Sequence, residues 1–188
     1  MKTSKNIFSA LFAVLLLVAI VLACGSSGTS DETDKANTLV NEGNKAIGDA
    51  NKYLEDANEK KNQMLQTNVS QLAEARTMAN EAIRGYDQGE EKLKDAAAKF
   101  DEASKLKVND KFKEYLSLNV KELNKRAEFV EAVKSIPQAL IDSQSRSSFI
   151  SRIGAATEKA KRLDKEADDL GAQADKIQKD NPESIKKP

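Results

Sequence analysis

Residues Phe149 to Ile177 read FISRIGAATEKAKRLDKEADDLGAQADKI. Phe149, Ile153, Ala156, Ala160, Leu163, Ala167, Leu170, Ala174 and Ile177 recur in steps of four and three. A spacing of about 3.5 residues keeps one apolar seam toward a neighbouring helix, where a strand would alternate at every second residue. Charged side chains fill most of the positions between, so the stretch is an amphipathic helix that needs a partner to cover its seam. Asn181-Pro182 stops it, and the tail 181–188 is expected to be disordered.

The same period appears upstream. Ala36, Val40, Gly43, Ile47, Ala50, Leu54, Ala57 and Met64 form a ladder with Lys61 in the one missing slot, and Leu39, Ala46 and Tyr53 widen the face. This predicts a helix over residues 35–66. Val69, Leu72, Ala79, Ile83, Tyr86, Leu93, Ala97 and Phe100 form a second ladder, one residue out of phase with the first. A turn at Thr67–Ser70, with capping residues at 68 to 70, accounts for the slip. One long helix with a stutter is the alternative. The second helix runs to about Leu106, and Lys107-Val108-Asn109-Asp110 breaks the chain, with Asn109 or Asp110 as cap.

Phe112, Leu116, Leu123, Ala127, Val130 and Val133 mark a third helix, the least regular of the four. Ser135-Ile136-Pro137-Gln138 combines capping-box spacing with a proline in a first helical turn, which predicts a separate short helix over Pro137–Asp142. Serine-rich residues 143–148 then weaken helix propensity. Helices of similar length joined by short turns give an all-α fold: an antiparallel four-helix bundle, coiled-coil-like in packing, over residues 35–180.

Composition narrows the chemistry. The 188 residues hold no histidine, which excludes His-dependent nucleophile systems and the usual zinc sites. No G-x-G-x-x-G or G-K-[ST] phosphate loop occurs. Thirty basic residues balance thirty acidic ones, which gives no footprint for nucleic acid. No enzyme activity and no cofactor are expected. A hydrolase with a carboxylate-only metal site is a less favoured alternative.

The N-terminus has a different character. Lys2 and Lys5 precede an apolar run, Ile7 to Leu22, broken only by Ser9, and Val21-Leu22-Ala23-Cys24 closes it. Cys24 is the only cysteine, so no disulfide forms within one chain. The arrangement resembles the export signal of bacterial lipoproteins, whose lipobox places a small residue just before a cysteine. Val21 and Leu22 depart from its commonest form, while Ala23 fits. The resemblance implies cleavage between Ala23 and Cys24, a diacylglycerol on the Cys24 sulfur, and acylation, for example by palmitate, of the new N-terminus. On this reading residues 1–23 are a signal peptide and residues 24–34 are the lipidated cysteine with a flexible Gly/Ser/Asp tether. The protein is then held in the bacterial cell envelope by membrane lipid. The periplasmic face of the outer membrane is favoured in a diderm host, because Gly25 stands where Asp tends to mean inner-membrane retention. An uncleaved anchor and an ordinary cleaved signal are the alternatives.

Candidate functional residues in the helical region are few. Tyr115, Leu118 and Phe129 do not all fit one face of the third helix, and they are candidates for an exposed partner-contact strip. Arg76 and Glu90 interrupt the second ladder and Asn119 sits near the third seam, positions that suit register-setting polar residues. Glu90–Lys94, Asp95–Lys99, Glu122–Arg126 and Glu158–Arg162 have favourable acid-first spacing for solvated-face pairs. Ala96, Phe100 and Ala103, with Gly85-Tyr86 upstream, weakly resemble a tetratricopeptide repeat. A true repeat implies a turn near Asp87-Gln88-Gly89 and a peptide-binding groove. The expected role is a non-catalytic scaffold or spacer that contacts another envelope protein, with a monomeric soluble domain and no large apolar surface patch.

Overall fold

A computed structural model describes residues 30–68 and 71–185. They form an all-α helical bundle of four antiparallel helices: α1, Ser30–Gln66; α2, Leu72–Ser104; α3, Asp110–Asp142; and α4, Arg146–Asp180. α1 starts at Ser30, inside the stretch expected to be tether, and Glu32 in its first turn suits the positive end of the helix dipole.

The expected turn separates α1 from α2, with Gln71 N–H donating to the Asn68 carbonyl at 2.9 Å. The cap falls on Gln71 and makes no side-chain capping bond. Asn109 caps α3 as expected, accepting from the Phe112 N–H at 2.8 Å. Ser145 caps α4 by accepting from the Ser148 N–H.

Pro137 does not start a new helix. α3 runs through it to Asp142, and Ser135 Oγ donates back to the Glu131 carbonyl at 3.1 Å instead of capping. Proline costs the helix one backbone hydrogen bond. Ile136 and Pro137 are both buried, and that packing offsets the loss.

Packing follows chain order. α1 lies against α2, α2 against α3 and α3 against α4; α1 makes a slight contact with α3, and α4 has no backbone contact with α1 or α2. The bundle is therefore an open series rather than a closed ring. α2 and α3 are the inner helices, each with a full neighbour on two sides, and α3 alone touches all three other helices, which explains its irregular apolar pattern. More than one face is covered, so its apolar residues do not fall on one stripe. Tyr115 and Phe129 are buried at 2% and 8% exposure, which removes them from an exposed contact strip. Leu118 is half-buried.

The α1 ladder is buried as expected from Ala36 to Met64, Lys61 included. In α2 the seam is shifted: Ala75, Ala82, Gly89, Ala96 and Ala103 join Ala79, Tyr86, Leu93 and Phe100 in the interior. Ile83 is only half-buried, and Leu72, lying beyond the end of α1, is 44% exposed. The α1–α2 approach is close at its glycines. A Cβ on Gly89 would stand 2.4 Å from Leu54 Cδ2, and one on Gly43 would stand 2.5 Å from Phe100 Cε1.

Residues 181–185 are packed, where the tail 181–188 was expected to be disordered; 186–188 lie outside the described residues. Ser184 and Ile185 N–H groups both donate to the Asn181 carbonyl, and Asn109 Nδ2 donates to the Ser184 carbonyl at 3.1 Å. Ile185 is 1% exposed within the main core. Glu32 accepts from the Lys107 N–H at 2.6 Å, so the start of α1 and the tail both meet the α2–α3 turn.

Candidate functional surface

Cys24 and Ala23 lie outside the described residues. Within those residues, polar groups gather at three places along the seams.

The first is between α1 and α2. Lys61 is 2% exposed and donates to Asn58 Oδ1 at 2.7 Å. The Tyr86 hydroxyl donates to the same oxygen at 2.8 Å. Burial pushes the Lys61 ammonium down to about 8, since a charge in an apolar seam loses its hydration. Burial also pushes the Tyr86 phenol well above its ordinary value. Asn58 is the last of four asparagines, Asn37, Asn44, Asn51 and Asn58, that recur every seventh residue beside the α1 seam. Neither side-chain polar atom of Asn44 has a hydrogen-bond partner, although both are buried. The period of seven is the one trace that this stripe leaves in the sequence.

The second joins α3 to α4. Arg126 Nη1 donates to Asp164 Oδ1 at 3.0 Å, and its Nη2 donates to Asp168 Oδ1 at 2.6 Å and Glu122 Oε1 at 3.3 Å. Glu122–Arg126 is therefore part of an interhelical cluster and not a solvated-face pair. Gly171 makes room for it, because a Cβ there would stand 3.0 Å from Glu122 Oε2. Burial raises the Glu122 carboxyl above its ordinary range against the opposing pull of Arg126. Asp164 is raised by burial and by Asp168 beside it.

The third joins α2 to α3. Lys134 pairs with Asp87 at 2.8 Å, with Glu90 at 3.5 Å, and with Glu131. Burial opposes ionisation of Glu90, but Lys94 and Lys134 outweigh it and hold the carboxyl below its ordinary value. Glu90–Lys94 forms as expected at 2.6 Å. Lys99 turns instead to Glu42 of α1 at 2.7 Å, and Arg162 to Glu166 at 3.7 Å. Arg76 is exposed, while Asn119 is buried and donates to the Tyr115 carbonyl at 2.8 Å.

Among the described residues no group of His, Cys, Asp or Glu is arranged to hold a metal ion, and the acids that do gather surround cations of the protein. No described helix is long and apolar enough to cross a membrane. α2 is continuous through Asp87-Gln88-Gly89, so the turn that a tetratricopeptide repeat requires is absent.

Among the described residues, three shallow grooves flank α3. One of about 360 Å³ lies over α3 between Glu90 of α2 and Lys159 of α4. Another, of about 390 Å³, has Ala139, Ala155 and Ala156 as its apolar lining. The third, about 470 Å³, lies between α3 and α4 and is lined by Leu118 and Ile177 with Lys111, Lys121 and Lys176 among its polar residues. Leu118 is thus the one member of the expected contact strip that reaches a surface groove. Comparison with protein families, curated proteins and solved structures finds no match to this chain.

Proposed function

We propose that the chain is a lipid-anchored, non-catalytic helical scaffold or spacer of the bacterial cell envelope that holds another envelope protein. The observation that carries this reading is the lipobox-type stretch ending at Cys24, the only cysteine, followed after Gly25–Thr29 by the start of α1. The bundle supports a spacing role. Helices of 33 to 37 residues extend roughly 50–55 Å at 1.5 Å per residue. With Cys24 in lipid, the end holding Ser30 and Ile185 lies near the membrane and the α1–α2 and α3–α4 turns lie far from it. Ion pairs that run between helices, Arg126 to Asp164 and Lys134 to Asp87 among them, tie the seams together.

Metabolic labelling with a fatty acid tests the anchor. The full chain should incorporate label and fractionate with membranes, and Cys24→Ala should abolish incorporation. Label retained in Cys24→Ala would refute Cys24 as the lipid site.

A further inference from the structure

We propose that the α3–α4 groove floored by Leu118 and Ile177 is a docking site for an acidic amphipathic helix of a partner protein. This rests on the reading of the chain as a scaffold and names the surface that such a scaffold would use.

Three observations single out this groove. Its apolar floor is made of large side chains, both half-buried, while the other two grooves offer only alanines as apolar lining. α4 has a single full neighbour, α3, so nothing else among the described residues covers this flank. The rim charge is also unbalanced. Glu114 is neutralised by Lys111 at 2.8 Å. Exposed Lys121 and Lys176 make no ion pair with any described residue, which leaves two free cations against Asp180 alone. In the 360 Å³ groove every acid is matched, Glu90 by Lys94, Glu128 by Lys125 and Glu131 by Lys134, and Lys159 is its single lysine without an ion pair to a described residue, against two in the groove of Leu118.

An apolar strip flanked by unmatched lysines complements a helix with leucine-like anchors on one face and carboxylates beside them. From Lys111 to Lys121 the groove follows α3 for about 15 Å at 1.5 Å per residue, enough for roughly three turns of a bound helix. The apolar anchors supply the affinity. The lysines supply orientation and discriminate against basic partners.

The probe is a fluorescent helical peptide with Leu on one face and Glu on the other, compared with the same peptide carrying Lys for Glu. Both are titrated against the full chain in detergent. The acidic peptide should bind at least about tenfold more tightly than the basic one, and added salt should narrow the difference. Lys121→Glu/Lys176→Glu should reverse the preference, and Leu118→Asp should weaken both peptides. Lys161→Glu/Lys165→Glu, on the exposed outer surface of α4, should change nothing. Equal binding of the two peptides, or indifference to the Lys121/Lys176 pair, overturns the proposal. So does binding of anionic phosphatidylglycerol vesicles through those lysines in place of the peptide. None of these outcomes affects fatty-acid labelling at Cys24, so failure of the groove is distinct from failure of the anchor.

Discussion

Lys61→Met is the most informative perturbation of the fold. Lys61 occupies the one non-apolar slot of the α1 ladder and is 2% exposed. Burial lowers its pKa from 10.5 to about 8. At about 1.36 kcal/mol per unit, that displacement opposes folding by roughly 3 kcal/mol at neutral pH. The unfolded chain binds this proton up to about pH 10.5 and the folded chain releases it near 8. Stability from this group therefore rises with pH between those values, and the penalty is fully present below about 8. Methionine fills a similar volume without charge. It loses the bond to Asn58, worth roughly 1 kcal/mol, while Tyr86 still satisfies the Asn58 oxygen. Lys61→Met should thus gain about 1–3 kcal/mol at pH 7, with the gain shrinking to nothing or reversing near pH 10.5. Urea unfolding followed by far-UV circular dichroism across that range reads the difference, and subtracting the variant from the parent removes the other titrating groups. A pH-independent difference, or a variant less stable at pH 7, would refute the desolvation argument.

Five further substitutions are open to the same assay. Gly154→Ala should stabilise by about 1 kcal/mol, because a Cβ there meets nothing within 4 Å. Gly89→Ala should lose about 1–2 kcal/mol net, because the clash with Leu54 exceeds the same propensity gain; equal gains would mean that α1 and α2 are not this close. Glu122→Gln should be neutral or stabilising by up to about 1 kcal/mol at pH 7, since Arg126 keeps Asp164 and Asp168. A raised carboxyl adds stability as pH falls through its folded value, so the variant should also flatten the acid side of the pH profile; a loss above about 1 kcal/mol would contradict this. Leu163→Asp should cost several kcal/mol, roughly 3–5, by placing a charge at a 2% exposed seam position. Exposed Glu158→Ala should cost under about 0.5 kcal/mol, and equal losses would mean that the α4 seam is misassigned.

The ladders of α1 and α4, the turns between helices and the Asn109 cap were legible in the sequence because each is local. Periodicity reports that a face is covered, and a cap needs only the side chain and the next turn. Periodicity does not report what covers the face. For that reason Tyr115 and Phe129 looked like surplus apolar residues until α3 was seen between two neighbours. The α2 seam also shifted to take in Ala75, Gly89 and Ala103, where alanine and glycine carry too little apolar signal to mark a face. Charges behaved the same way: sequence spacing pairs Asp95 with Lys99 and Glu122 with Arg126, but Glu42, Asp164 and Asp168 from other helices take up or share those cations. Tertiary packing likewise carries α3 through Pro137 and seats Ile185 in the core, since burial outweighs a lost backbone bond and the local signal for disorder. The sequence alone determined that this chain is a set of amphipathic helices, because each apolar ladder is a local pattern. Only the tertiary structure decided that the helices form an open series, because non-local contacts between side-chain surfaces choose which seams meet and which flank, that of Leu118 and Ile177, no other described helix covers.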